Sequence, residues 1–454
     1  MTDATIPAST AGSGSASARS SLLTVDTHTR RRRSSEARFR LLGLLAVSLG
    51  VLALLGLLAS IFSNGLSSFQ QTYIRLDIHL DAARLDKAGD RNPEQIAKVS
   101  TFGYAPLIQK AMEEKMAAAG IAIDGLSANA AAELISKEAP AELRRYVLAD
   151  PSRIGQTVPF DLLASGRIDG YYKGRVTMAS AELDRNVSPQ QLQLADQLKE
   201  AGILETRFNW SFFTAPDASD TRPEAAGLGV AILGSAYMML IVLALSLPIG
   251  VAASIYLEEF APRNRFTDLI EVNIANLAAV PSIVFGILGL AVFINFAGLP
   301  QSAPVVGGLV LTLMTLPTII IATRASLKAV PPSIRDAALG VGASKMQSVF
   351  HHVLPLAMPG ILTGTIIGLA QALGETAPLL LIGMVAFVRE YPGEPPAGFF
   401  DPASALPVQV YNWTQRGDPA FVERASGAII VLLVFLVLMN LIAIVLRRRF
   451  ERRW

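Results

Sequence analysis

The chain has 454 residues, of which 51% are hydrophobic and 17% charged, and its mean hydropathy is +0.42. This composition excludes an ordinary soluble domain and is typical of a polytopic membrane protein. Cysteine is absent, which excludes disulfide frameworks and thiolate metal sites. The net charge of +2 indicates nothing about partners, so the placement of the charges has to be considered.

Six segments are long and apolar enough to cross a bilayer, each near the ~20 residues that a transmembrane helix needs. They are 41–62, 228–257, 277–297, 304–323, 357–384 and 427–446. Arginines cluster before the first segment and after the last one. These are Arg30 to Arg33, Arg38 and Arg40, then Arg447 to Arg449, Arg452 and Arg453. Because basic residues mark the cytoplasmic side, the pattern predicts that both termini are cytoplasmic.

The first 40 residues are rich in Ser, Ala, Thr and Arg and have no apolar periodicity, which predicts a disordered cytoplasmic tail. A cleaved signal peptide is the alternative for the segment that follows. Its apolar core would have ~7–15 residues, whereas 41–62 is longer, so an uncleaved anchor is preferred. The arginine run could also bind nucleic acid or anionic lipid, but next to an anchor it is better interpreted as an orientation signal.

Residues 64–225 form the largest polar segment, and the alternation of sides predicts that they are a periplasmic domain. Apolar and polar residues alternate from Ile74 to Asp81, as in a half-buried strand. Helical patterns follow at 104–119, 127–148 and 188–201, so a mixed α/β insertion is expected. Tyr171, Tyr172, Lys173 and Arg175 could form a ligand surface, although a solvated face is the preferred interpretation.

A two-helix element, residues 331–355, lies between the fourth and fifth predicted spans. Ser333 with Asp336, and Ser344 with Gln347, have the spacing of capping boxes. Gly342 can make the turn between the helices, and Pro355 is expected to limit the second helix. That helix carries an apolar stripe that needs a covering surface. The stripe is Met346, Val349, Phe350, Val353 and Leu354.

The element resembles the cytoplasmic "EAA" coupling loop of ABC importer permeases, whose pattern is Glu-Ala-Ala, three residues, Gly, nine residues, Ile, any residue, Leu-Pro. The matching residues are Asp336, Ala337, Ala338, Gly342, Leu354 and Pro355. Asp336 stands in place of Glu, and His352 stands where Ile is expected. The resemblance implies that these residues contact a separate ATPase.

The segments 232–262, 279–293 and 354–383 resemble the permeases of the bacterial phosphate-specific ABC transporter, and 374–378 is most similar to the A-type subunit. The resemblance covers 208–447. It implies a type I importer core within 228–447 and uptake of phosphate through the bacterial inner membrane. The implied partners are a homologous second permease, two ATPase subunits and a periplasmic phosphate-binding protein. The chain has no G-x-x-x-x-G-K-[ST] loop, so it is not expected to be an enzyme.

The fifth predicted span carries the candidate residues of the translocation path. Gly360, Gly364, Gly368 and Ala372 form a small-residue stripe that allows close helix approach. Gln371 and Glu375 form a polar row beside it, followed by Thr376. An ionisable group among apolar residues is a functional candidate, and a satisfied structural carboxyl is the equally weighted alternative. Arg324 could meet an anion at the cytoplasmic mouth or could only orient the span.

Other functions compete with phosphate import. A permease for another oxyanion, such as sulfate or molybdate, would share the coupling loop. A membrane sensor would explain the periplasmic domain, but few residues follow the last span. A proton-coupled secondary transporter would explain Glu375, yet paired halves with matching broken helices are not seen. No cofactor, metal site or nucleic-acid partner is expected.

Overall fold

A computed structural model describes residues 27–86, 89–123, 125–384 and 387–450, with the backbone alone at 27–29, 446, 449 and 450. The chain divides into two units, residues 1–60 and 61–454. The first helix, Thr27–Gly65, starts well before the predicted span. The prediction of a disordered tail is therefore wrong for 27–40, where Arg, Glu and Ala favour continuation of an apolar helix. The rest of the predicted tail lies outside the described residues.

An antiparallel sheet forms the centre of an α/β domain within the second unit. Its strands are β1 (Gln70–His79), β2 (Thr157–Leu163) and β3 (Leu204–Phe208), in the order β2-β1-β3. Ile74 pairs with Leu162 on one side and with Leu204 on the other. The predicted alternation is confirmed, because Ile74, Leu76, Ile78 and Leu80 are fully buried. The mixed α/β fold follows from this central strand and the helices that cover it.

The helices of this domain are short. They are Ala82–Leu85, Pro93–Ile96, Ala105–Ala118, Ala128–Ala132, Ala139–Ala149, Gly166–Tyr172, Met178–Ala181, Pro189–Glu200 and Ser211–Thr214. The predicted helix at 188–201 is confirmed with Ser188 as its N-cap. The predicted helix at 127–148 is wrong as one element, because Ile135 leaves the helical path to pair with Ala164. Two shorter helices take its place.

The interpretation of 171–175 as a ligand surface or solvated face is wrong for its two cations. The Lys173 ammonium lies 2.7 Å from Asp169 and 3.0 Å from Glu423, and its side chain is 3% exposed. Arg175 lies 2.5 Å from the other oxygen of Glu423. Since Glu423 belongs to the last helix, these ion pairs fasten the α/β domain to the membrane-spanning region.

The membrane-spanning region contains four further long helical spans and one bent pair among the described residues. The long spans are Gly229–Ile255 with its extension Tyr256–Phe260, Pro304–Lys328, Lys345–Gln347 with Ser348–Val353 and Leu354–Gly374, and Pro419–Phe450. The bent pair is Arg265–Ala278 with Ser282–Phe296, at 103°. A short helix, Leu406–Gln415, precedes the last span. With Thr27–Gly65, the count is five spans, or six if the bent pair crosses once.

Two predicted spans have the wrong form. The segment 277–297 is not one straight helix, because the chain bends at Ala279 to Pro281. Proline disfavours helix at the residue before it and lacks the amide that would continue the ladder. The segment 357–384 begins earlier, at Lys345, and its helix ends at Gly374. A separate short helix, Ala377–Leu381, follows.

Candidate coupling loop and translocation path

The first helix of the predicted coupling loop is Pro332–Gly340, and it ends in a Schellman motif. The amide of Ala343 donates to the Ala338 carbonyl at 3.1 Å, and the amide of Gly342 donates to the Leu339 carbonyl at 3.0 Å. Gly342 has φ +90°, which is unfavourable for residues with a Cβ. The predicted turn is confirmed. The capping box of Ser333 and Asp336 is wrong, because Pro331 holds the cap position and Ser333 lies within the first turn.

The second helix starts at Lys345, and the capping box of Ser344 and Gln347 is confirmed. Pro355 does not limit this helix, contrary to the prediction. Residues Ser348–Val353 form a π-helix, whose hydrogen bonds run from residue i to i+5. The α-helix then continues through Pro355 to Gly374. The loop is therefore joined rigidly to the fifth span as its first turns.

One face of the loop packs against the spans, and the other is open. Ala338, Val349 and Val353 are buried, and the two valines join an apolar cluster that includes Leu327 and Ile361. The predicted stripe is therefore covered only in part. Its open side is apolar: Leu339 (49% exposed), Val341 (86%), Met346 (58%) and Phe350 (45%). Asp336, Ala337 and Gly342 are also exposed, and Leu354 and Pro355 are half-buried.

Arg335 fastens the loop to the end of the second span. Its guanidinium lies 2.6 Å from Glu259 and donates to the carbonyls of Leu327 and Val330 at 2.9 and 2.8 Å. A second arginine on the same side, Arg324, lies 2.6 Å from Glu271 and 3.3 Å from Glu258. These carboxylates occupy Arg324 in this conformation. The sequence showed the acids at 258 and 259 but could not show which arginines they pair with.

The small-residue stripe allows close helix approach, as predicted, and the helix that it approaches is the fourth span. A Cβ added at Gly360 would lie 2.8 Å from Ser326 Cβ, and one at Gly364 would collide with Ala322. Gly368 faces Ile319 at an ordinary contact distance of 3.4 Å. Ala372 is buried at the end of the stripe. Gln371, beside the stripe, is exposed.

The chain leaves the helix at Glu375, in the middle of the predicted fifth span. Glu375 has extended dihedrals (φ −78°, ψ 130°), so it does not continue the polar row of Gln371 along one helix. Across the described part of the chain, the side chains of Gln371, Glu375 and Thr376 have no hydrogen-bond partner. Gln371 is exposed, and the other two are half-buried. Three unpaired polar side chains thus lie at one helix break.

The break contacts the other interrupted span. A Cβ added at Gly286, in Ser282–Leu288, would lie 2.7 Å from the Cα of Pro378. Non-helical backbone at membrane depth is tolerated where it is buried in protein or lines an aqueous cavity. The two interrupted spans therefore contact each other beside the break at Glu375.

Comparison with known proteins assigns the family. Residues 246–454 match the family model of the binding-protein-dependent transport system inner membrane component. Residues 26–182 match a domain of unknown function, DUF3333. The inward-facing MetNI methionine ABC transporter aligns with 50% of this chain and 95% of that chain, at 16% identity and a TM-score of 0.38.

Curated relatives agree with the family model. The probable ABC transporter permease YqgI of Bacillus subtilis is 32% identical over 48% of this chain and 78% of its own length. PstA 2 of Mycobacterium bovis, a phosphate transport system permease protein, is 32% identical over 54% of this chain and 79% of its own. PstA of Xylella fastidiosa is 31% identical over 48% and 74%. ATP hydrolysis accordingly belongs to partner subunits, and this chain is a membrane-embedded, PstA-like permease of the binding-protein-dependent ABC importer family.

Proposed function

We propose that this chain is a permease subunit that forms part of the transmembrane path for inorganic phosphate in a type I ABC importer. The observation that carries the proposal is its identity of 30–32% with several PstA proteins over about half of the chain. The partners would be a homologous second permease, two ATPase subunits and a periplasmic phosphate-binding protein. The runner-up is a permease for sulfate or molybdate, because permeases for other oxyanions share the coupling loop and YqgI is named as an ABC transporter permease without a substrate.

The proposal is tested by uptake of radiolabelled phosphate in a strain that lacks this protein and has no second high-affinity system. We expect this strain to lose phosphate uptake and the gene to restore it. Excess sulfate should not reduce the restored uptake. Unchanged phosphate uptake under phosphate starvation would contradict it, and competition by sulfate or molybdate would favour the runner-up.

The proposed topology places both termini and the loop 324–356 in the cytoplasm and the α/β domain in the periplasm. The arginines at both ends of the chain support it. The chain has no cysteine, so single cysteines can be introduced and labelled from outside intact cells. Asp77→Cys is expected to be labelled and Lys345→Cys protected. The reverse pattern would invert the topology.

For the coupling loop, we propose that Asp336, Ala337 and Gly342, with the apolar side chains around them, bind the ATPase. Val341 is the most exposed apolar side chain of the loop, at 86%. A charge there would have to be desolvated on binding. Val341→Glu is expected to lower ATP-driven uptake at least tenfold with normal insertion. Leu183→Glu, at a 90% exposed position in the α/β domain, is the control and is expected to retain uptake.

For the path, we propose that Gln371, Glu375 and Thr376 line the route of the anion, with Arg324 at its cytoplasmic end. The unpaired side chains at the helix break support this role, and a carboxylate there would position a basic group of the second permease. The test is Glu375→Gln, which keeps size and hydrogen-bonding capacity but removes the charge. We expect a strong loss of uptake with unchanged assembly. Glu390→Gln, in the exposed segment beyond the break, is the matched control.

A further inference from the structure

Four aromatic side chains form a patch on the α/β domain where it meets the last span. The aromatic patch consists of Phe69, Phe208, Trp210 and Phe213. Phe69 stacks on Phe208 and Phe213 with centroid distances of 6.4 and 5.7 Å, and Trp210 lies edge-on to Phe208 at 4.8 Å. Trp210 is 70% exposed and Phe208 49% exposed. Contiguous exposure of this kind marks a surface that something covers.

The inner side of the aromatic patch is fixed by the protein core. Phe212 is fully buried and meets Phe69 edge-on at 5.6 Å and Trp413 at 6.1 Å. The amide of Asn209 donates to the Phe69 carbonyl at 2.8 Å. The space behind the patch is therefore filled by Phe212, which leaves no room for the exposed rings to turn inward.

The level of the patch relative to the bilayer follows from the last helix. Residues 425–445 contain no charged side chain, and at ~1.5 Å per residue they span about 30 Å, the thickness of a hydrocarbon core. The boundary of this core therefore lies near Ser426. A Cβ at Gly65 would lie 2.7 Å from the Ser426 backbone, and Ser68 donates to the Glu423 carbonyl at 2.9 Å. Phe69 and its neighbours thus lie just outside the hydrocarbon boundary.

We infer that the aromatic patch is an interfacial anchor that inserts into the lipid headgroup layer beside the last span. Trp and other amphipathic rings are enriched at this depth because the ring is apolar while the indole N–H retains polar partners. Phe102, although 85% exposed, lies outside this layer. Its neighbour Gly103 lines a cavity with Ala83 and Asp86, which follow the C-terminal end of β1. Phe208 pairs with Gln70 at the other end of that strand.

Tryptophan fluorescence of the assembled importer in nanodiscs tests the inference. The emission of the parent minus that of Trp210→Phe isolates Trp210, because Trp413 and Trp454 are present in both. Phospholipids brominated near the headgroup are expected to quench this difference emission at least about twofold, and those brominated near the bilayer centre less. Iodide in the buffer is expected to have the weaker effect.

The matched control is the double variant Trp210→Phe/Phe102→Trp, whose new tryptophan is expected to be quenched by iodide and not by brominated lipid. Absence of lipid quenching at Trp210 would overturn the inference. With strong iodide quenching, that result would mean a water-exposed patch. With neither quencher effective, it would mean that another protein covers the patch.

Discussion

The ion pairs at the two ends of the membrane-spanning region differ in burial. At the coupling loop, Arg335 is 22% exposed in its pair with Glu259, and Lys328 is 59% exposed in its pair with Glu258. At the α/β domain, Lys173 and Glu423 are 3% and 5% exposed. Arg424, beside them, is also buried and donates to the carbonyls of Glu224 and Ala226 at 2.7 Å each. Arg175, which also pairs with Glu423, is 23% exposed, so the difference lies in the two lysines: Lys328 is open to water and Lys173 is not.

This difference assigns a mechanical role to each end. A buried charge that loses its partner has no water to replace it, so the junction with the α/β domain opposes separation. Partly exposed pairs break and re-form at a lower cost. We therefore expect the coupling loop to move against the second span, and the α/β domain to move with the last span as one body.

The largest effect is expected at the buried junction. Glu423→Gln leaves the Lys173 ammonium with one carboxylate fewer and should lower the free energy of unfolding by roughly 3–5 kcal/mol, the range for a broken buried pair. Thermal unfolding in detergent measures it. Glu114→Gln, in the exposed pair with Lys110, is the control and should cost no more than ~0.5 kcal/mol. Equal effects of the two changes would disprove the comparison.

A smaller effect is expected at the coupling loop. Arg335→Met removes the pair with Glu259 and two hydrogen bonds to carbonyls, and it should cost about 1–3 kcal/mol because water can enter. Arg335→Lys keeps the charge but loses the planar guanidinium. Its free energy of unfolding should therefore lie between that of Arg335→Met and that of the parent. The same unfolding assay applies. A loss for Arg335→Met larger than that for Glu423→Gln would reverse the assignment of the two ends.

The smallest effect concerns Glu142, a carboxyl of the α/β domain that makes no ion pair with any described residue. Burial raises the pKa of Glu142 from 4.5 to about 7. The folded state therefore holds a proton that the unfolded chain releases, so this stabilisation is complete below pH 4.5 and is lost as pH rises towards 7. Glu142→Gln should raise the midpoint of thermal unfolding at pH 8 by a few degrees and change it little at pH 5. An equal shift at both pH values would contradict the assigned burial.

Local patterns made much of this architecture predictable. The alternation at Ile74 to Leu80 defined the central strand, and Ser188 defined a helix start. Gly342 defined a turn, because only a glycine enters that backbone region at no steric cost. The break at Glu375 also had a local signal, since Pro378 has no amide N–H to donate to the Gly374 carbonyl and so cannot continue the preceding helix. The apolar composition around it concealed this signal.

The partners of charged residues could not be predicted. Lys173 and Glu423 are 250 positions apart, and their contact depends on the complete fold. The same holds for Arg335 and Glu259, 76 positions apart. Both lysine and arginine are usually solvated, so the sequence favours a solvated face until the fold supplies a buried carboxylate. The sequence also could not predict which side of the coupling loop is exposed, because periodicity shows that a stripe is apolar but not what covers it.

The most direct test of the account is ATP-driven phosphate uptake into proteoliposomes that contain this permease with its partner subunits and binding protein. The account predicts that the parent takes up phosphate and not sulfate, and that Gly342→Val, which cannot form the turn at φ +90°, loses uptake while remaining inserted. Sulfate uptake by the parent, or phosphate uptake by Gly342→Val at the parent rate, would contradict it.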